Sequence, residues 1–271
     1  MSGPLSIPLL LHTWRSQRIR LLVVVVALAV WGFLMAVIYA TFGRQFAALV
    51  DSGIIPDVFL RLMGADPFSL DGVIALGAVH PVAISLLAVF PVGWGAAAIA
   101  GERQRGTLEV LLARPLSRRT LALTLAVAVG MFAVVTTLAL YGGNVLGAAA
   151  YGVAGEIDAG ELAWLALNTA LLFGALGAIA LAASSAFDRL APAVGIALGV
   201  LLLGYTLEIL GTLWPDAEFL QPLSPLHYLQ PLDILAGDGS PVDLAVLAGL
   251  AIAAVAHMLF WFPRRDLAAP A

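Results

Sequence analysis

The side chains best suited to acid–base or nucleophilic chemistry are few and scattered along this chain. The four histidines, His12, His80, His227 and His257, form no His-Glu-x-x-His pair. No Gly-x-Ser-x-Gly elbow marks a serine nucleophile. Cysteine is absent and every cation is an arginine, which excludes thiol and lysine chemistry. The sequence therefore predicts a non-enzymatic chain with no catalytic residue, no metal site and no bound cofactor.

Two polar residues in apolar surroundings are candidates for a role in transport. Glu208 is the one acidic residue clearly inside an apolar run, and acids at membrane depth are functional candidates. His80 precedes Pro81 near the end of another apolar run. Snorkelling of Glu208 and an interfacial position for His80 account for both residues. A place on a substrate pathway or at a gate is the alternative, and both stay open.

The elements that position these residues are long apolar runs. The 271-residue chain is 62% hydrophobic and 11% charged, and runs of about 20 apolar residues cross a bilayer as helices. The sequence predicts an all-α membrane protein with one transmembrane domain over residues 1–271. Its six spans lie at about 21–41, 73–100, 120–150, 162–183, 190–210 and 244–262.

Several features between and within the spans are also predicted. The amphipathic, arginine-bearing residues 1–20 form an interfacial helix, with a frayed tail as the alternative. Pro91 kinks the second span, and Gly142 to Asn144 interrupt the third. The segment Phe42–Gly72 contains a short amphipathic helix at the outer surface. The segment Thr212–Asp243, rich in proline and aromatic residues, folds back as broken external helices.

The arginines are distributed very unevenly between the two sets of span ends. Eleven of the thirteen lie at one set, whereas the opposite loops hold only Arg44 and Arg61 together with twelve acidic residues. Cytoplasmic loops carry the excess of arginine. We therefore expect a multi-pass protein of the cell membrane with both termini in the cytoplasm, and with the insert between spans two and three (residues 101–119) on the same side.

That insert is the most distinctive segment of the chain. Gly106 is predicted to end one helix with a positive φ, and Thr107 to cap a short second helix with Glu109 in its first turn. Pro115 ends the short helix and Ser117 caps the third span. One apolar face is formed by Leu108, Leu111 and Leu112. Such a helix fits a groove on a soluble partner, and a helix lying on the inner leaflet explains it equally well.

The insert resembles the signature of type-2 permeases of ABC transporters. Residues 102–118 run Glu-Arg-Gln-Arg-Gly-Thr-Leu-Glu-Val-Leu-Leu-Ala-Arg-Pro-Leu-Ser-Arg. The family has an acidic residue, Gly-Thr-Leu-Glu, a leucine pair, then proline, a branched residue, serine and arginine. Weaker likenesses occur at Leu223–Tyr228 and Phe262–Leu267. The six-span plan extends the resemblance over essentially the whole chain.

The resemblance implies a membrane subunit of an ABC exporter, in which two permeases, identical or paralogous, pair with two ATPase subunits. The short helix would be the coupling helix that contacts the ATPase, through Glu102, Gly106, Thr107, Leu108, Glu109, Leu111 and Leu112. Many relatives have a lysine about where Leu125 stands here, so a cationic role at that position does not transfer. Because the chain has no lysine, it has no P-loop, and ATP would be bound by the partner.

Two other functional classes stay open from the sequence. One is an intramembrane hydrolase, suggested by the scattered histidines and Glu208. The other is a secondary transporter driven by an ion gradient. The near absence of charge at mid-membrane weighs against ion coupling. The expected partners are the ATPase, a second permease and the lipid bilayer, with no nucleic acid. The residues specify neither the substrate nor the direction of transport.

Overall fold

A computed structural model describes residues 3–51, 69–113 and 116–265, excluding the side chains of residue 44 and residues 46–51. The regular secondary structure of these residues is entirely helical. Among the described residues, five helices are long and apolar enough to cross a membrane, and counting one strongly bent pair as a single span gives six. The predicted all-α membrane architecture is confirmed at this level.

The first helix, α1 (Ile7–Asp51), is 45 residues long. At 1.5 Å per residue it measures about 67 Å, more than twice the thickness of a bilayer core. The predicted boundary between an interfacial helix and a span near residue 20 is wrong, because one helix runs through it. No proline or glycine occurs from residue 9 to residue 31 to break it. A membrane-interface position for its first turns stays a prediction.

The predicted outer segment Phe42–Gly72 is only partly described. Its first residues continue α1 as far as Asp51, and residues 52–68 lie outside the described residues. The short amphipathic helix expected there therefore stays a prediction.

The second span is broken at its beginning. Helix α2 (Leu70–Val79) and helix α3 (Pro81–Ala97) meet at an angle of 54°. His80 between them is extended, with φ −62° and ψ 139°, because a residue before proline disfavours helical backbone. Pro91, the predicted kink, lies instead in a π-helical stretch within α3, Val89–Trp94. The main bend is thus at Pro81, whose position at the first turn lets α3 restart.

Two short helices, α4 (Ala100–Gln104) and α5 (Leu108–Leu112), separate α3 from the long helix α6 (Arg118–Ala150). The interruption predicted at residues 142–144 is wrong, since α6 is continuous there. Gly143 instead permits a close crossing with α1. A Cβ on Gly143 would lie 2.1 Å from the Ala29 carbonyl oxygen, and one on Gly32 would lie 2.1 Å from that of Leu140. Small residues at such crossings let helix backbones approach in membranes.

The remaining long helices are α7 (Ala159–Ala186), α8 (Leu190–Leu213) and α10 (Pro241–Trp261). They cover the predicted spans 162–183, 190–210 and, except for residue 262, 244–262. Helix α7 is central and packs against α3, α6, α8 and α10. Between α8 and α10 the chain forms broken helical pieces, as the sequence predicts. These are two 3-10 helices (Pro215–Leu223 and Pro225–Tyr228) and α9 (Pro231–Leu235). Short 3-10 turns also occur at Ala154–Glu156 and Phe262–Arg264.

The two ends of the bundle differ in charge. At the arginine-rich end, the start of α1, the α4–α5 region, the α7–α8 junction and the end of α10 meet. At the acidic end lie His80, the two 3-10 helices between α8 and α10, and α9. The membrane side that each end faces stays a prediction.

Candidate functional site

Residues 98–117, hereafter the elbow, connect α3 to α6 and include the short helices α4 and α5. Arg114 and Pro115 lie outside the described residues. Gly106, which separates α4 from α5, has φ +71°, as the sequence predicts. The Gly106 N–H donates to the Arg103 carbonyl and the Thr107 N–H to the Glu102 carbonyl, both at 2.9 Å. This is the Schellman hydrogen-bond pattern, which ends α4 and turns the chain into α5.

Thr107 does not cap α5 as predicted. Its backbone is helical (φ −90°, ψ −19°) and its side chain makes no capping bond to α5. The Thr107 hydroxyl turns back and donates to the Glu102 carbonyl oxygen at 3.0 Å, and it also contacts the Glu102 carboxylate. The Schellman turn causes this reversal, because it places Thr107 beside the last turn of α4. Glu102 also pairs with Arg105. Its carboxylate therefore contacts residues on both sides of the turn at Gly106.

A serine on a different helix holds the start of the elbow. The buried Ser184 hydroxyl, on α7, accepts hydrogen bonds from the N–H groups of Ile99 (3.0 Å) and Ala100 (2.9 Å). These are donors that the break between α3 and α4 would otherwise leave unsatisfied. Ser184 therefore caps the start of the elbow from a neighbouring helix.

A set of polar contacts, hereafter the clamp, joins the elbow to the α7–α8 junction and to the end of α10. Arg103 Nε lies 2.8 Å from Asp188 Oδ1, and Arg265 pairs with the same oxygen. The Gln104 side-chain oxygen accepts the Leu190 N–H at 2.9 Å. Because Asp188 lies between α7 and α8 and Arg265 follows α10, this clamp links the elbow to three spans. The sequence gives no signal for it, since the partners are far apart along the chain.

The far side of the elbow is fixed in a similar way. The Ser117 hydroxyl accepts the Thr120 N–H at 3.0 Å, which confirms the predicted cap of α6. Arg118 donates to the carbonyl oxygens of Arg265 (2.6 Å) and Pro263 (3.3 Å) beyond α10. Both ends of the elbow are thereby attached to the bundle.

The short helix α5 has an inward and an outward face. Leu108 is 3% exposed and belongs to a buried cluster with Ile99, Leu121 and Leu125. Of the other predicted contact residues, Glu102, Gly106, Leu111 and Leu112 are half-buried, and Thr107 and Glu109 are exposed. Leu108 therefore supports the elbow from within, and its predicted contact with a partner stays a prediction.

The outward face includes residues that the sequence did not single out. Val110 is 66% exposed, and Gln104 and Arg105 are exposed as well. The signal for Val110 was its place on the α5 face opposite Leu108. A groove of about 400 Å³ opens beside this face, between α5 and the first turns of α1. Its lining includes polar and charged groups, among them His12, Arg20 and Arg105.

At the acidic end, the structure brings together the two predicted pathway residues. His80 and Glu208 line one cavity of about 440 Å³, together with Tyr205 and mostly apolar side chains. His80 Nδ1 accepts the Val82 N–H at 3.2 Å, and its ring lies 4.9 Å from that of Trp31. His80 therefore caps α3 at the bend of the broken span while facing the cavity.

Glu208 is in a crowded polar cluster. His227 Nδ1 lies 3.7 Å from Glu208 Oε1, beyond hydrogen-bond length, and Gln221 Nε2 lies 3.5 Å from Oε2. The Ser224 hydroxyl also interacts with the carboxylate. Ser224 is fully buried and its oxygen accepts the Leu226 N–H, so it is shielded from any substrate. The combination of serine, histidine and glutamate here is not arranged for hydrolysis.

The other candidate for acid–base chemistry lies apart from this cluster. His257 is exposed on α10 beside Trp261. Within the described ranges, no three His, Asp or Glu side chains come close enough to hold a metal ion.

Comparison with known proteins assigns the chain to a family. No curated protein matches the sequence. The sequence model of a protein family, the ABC-2 family transporter proteins, matches residues 11–267. This range includes the elbow, the clamp and the cavity. The chain therefore belongs to the ABC-2 family of transporter proteins and is a multi-pass membrane permease.

Proposed function

We propose that this permease forms the substrate pathway of an ABC exporter, driven by a separate ATPase subunit that docks on the elbow. The observation that carries the proposal is the two-sided construction of α5. Leu108 fixes the inner face to the bundle, whereas Glu109 and Val110 are presented outward. A short helix outside the spans, exposed on one side and attached on the other, suits contact with a partner.

The groove beside α5 supports the same docking surface. Its lining combines apolar side chains with polar and charged ones next to Val110, and protein interfaces combine apolar and polar groups as well. We assign the ATPase contact to the exposed and half-buried members of the predicted set, Glu102, Gly106, Thr107, Glu109, Leu111 and Leu112, together with Val110.

The attachments of the elbow explain how movement would reach the spans. A push on α5 passes to α7 through Ser184, and to the α7–α8 junction and the end of α10 through Asp188. Closure of the ATPase subunits on ATP would then rock these spans against α1 and α6, changing which side of the membrane the pathway opens to. A second permease, identical or related, would complete the pathway.

The partner is tested by purifying the tagged permease from the membranes of its own host. We expect an ABC ATPase to co-purify with the wild-type chain. Val110→Asp should lose it, because a charge would enter the apolar centre of the interface while the fold is untouched at an exposed site. Phe219→Asp, an equally exposed apolar position at the acidic end, should retain it. A wild-type chain that never carries an ATPase, or ATP-independent transport, would refute the proposal.

A further inference from the structure

The cavity at the acidic end has the features of a small-molecule site. Its volume of about 440 Å³ lies within the range of ligand pockets, which are mostly apolar with a few placed polar groups. Its walls come from the bend between α2 and α3, from the last turns of α8 and from the 3-10 region before α9. Apolar side chains, including Leu76, Ile84 and Ile209, cover most of the surface.

The one acidic side chain in the lining of this cavity, that of Glu208, is incompletely satisfied by hydrogen bonds. The Glu208 side chain as a whole is 25% exposed. Its Oε1 is itself buried and accepts no hydrogen bond within the described chain. The groups facing it, from the 3-10 region, are His227 at 3.7 Å, Gln221 at 3.5 Å and Ser224, and no arginine is among them. A carboxylate in an apolar pocket is stabilised by a positive charge brought close to it.

We propose that this cavity binds a lipophilic organic cation, with its positive group against Glu208 and its apolar body against the leucine and isoleucine side chains. The Tyr205 ring, also in the lining, offers a further favourable surface for a cation. An anion would face the carboxylate directly. A divalent metal would need several oxygen ligands that this lining does not offer.

The location of the cavity connects it to the elbow. Helix α3 runs from the bend at His80 directly into the elbow, and α8 runs from the clamped α7–α8 junction to Glu208. The two helices that line the cavity are therefore the ones that the elbow would move. The proposal that a cation binds depends on the cavity alone. The interpretation of that cation as the transported substrate rests on the proposed function.

Binding is tested with the purified full chain in lipid nanodiscs, without ATP or an ATPase. The probe is tetraphenylphosphonium, titrated by calorimetry, with neutral triphenylphosphine oxide as its comparison. We expect saturable binding of the cation only, and a loss of affinity of about tenfold or more in Glu208→Gln. Glu218→Gln, at an exposed position of the 3-10 helix that follows α8, should bind as the wild type does.

Two further variants keep the test decisive should Glu208→Gln fold poorly. Glu208→Asp retains the charge and should retain most of the binding, and Leu76→Trp should abolish it by filling the cavity. Equal binding of the cation and the neutral probe would overturn the proposal, as would unchanged affinity in Glu208→Gln or the absence of saturable binding. Such results leave the ATPase-driven permease intact, and a permease without an ATPase leaves the cation site intact.

Discussion

At the residue scale, buried hydrogen-bonding groups locate the elbow more strongly than its charges do. Ser184 is fully buried and accepts two backbone N–H groups inside the bundle. The ion pairs of Asp188 are more exposed, and exposed pairs contribute little to stability. We therefore assign the anchoring of the elbow to Ser184 and its orientation to Asp188.

Replacing Ser184 by alanine should lower the free energy of unfolding by about 1–3 kcal/mol, because two buried donors lose their acceptor. The measurement is reversible unfolding in mixed detergent micelles. Ser185→Ala is the matched control, since the Ser185 hydroxyl donates only to Ala182 of its own helix. Equal effects of the two substitutions would show that Ser184 is not an anchor.

At the element scale, glycines fix the packing of α1 against α6. Gly143→Ala should be destabilising by about 1–3 kcal/mol, because its Cβ would overlap the Ala29 carbonyl. Gly142→Ala, one residue earlier, meets nothing within 4 Å and should be neutral or slightly stabilising, since alanine favours helix over glycine. Thermal unfolding of the purified variants in one detergent gives the comparison, and a Gly142→Ala as damaging as Gly143→Ala would contradict the crossing.

The clamp can be tested as a link between elements. The chain has no cysteine. A variant with two introduced cysteines, at Val110 and Trp261, can therefore be spin-labelled at these two positions alone. Asp188→Asn should broaden the distance distribution between the labels. The elbow, through Arg103, and the end of α10, through Arg265, would lose the carboxylate that they share. Glu109→Gln removes an exposed acid of the elbow and should leave the distribution unchanged. An unchanged distribution in Asp188→Asn would remove the clamp from the account.

Local patterns predicted the elements better than the contacts between them. Long apolar runs marked α6, α7, α8 and α10 because burial in lipid selects composition over about twenty residues. Gly106 and Ser117 were predictable because their roles depend on immediate neighbours. The bend at Pro81 was missed because two prolines compete within one run, and the π-helical stretch accommodates Pro91. The clamp was invisible because residue types alone do not pair Arg103 with a carboxylate 85 positions away.

At the scale of the whole molecule, the candidate sites occupy opposite ends of one bundle. The elbow lies at the arginine-rich end and the cavity at the acidic end, with α3 and α8 running between them. From Leu190 to Glu208, α8 extends for about 27 Å at 1.5 Å per residue, close to the thickness of a bilayer core. If α3 and α8 moved as rigid bodies, a displacement at the elbow would also displace the walls of the cavity. No rearrangement of the residues in between would be needed.

The central claim is that an ATPase docks on the exposed face of α5. The most direct measurement is cross-linking in native membranes from single cysteines at Val110 and, for comparison, at Phe219. We predict that the Val110 cysteine cross-links to an ABC ATPase, identified by mass spectrometry, and that the Phe219 cysteine does not. Cross-linking of the ATPase from Phe219 but not from Val110, or from neither position, would contradict the account.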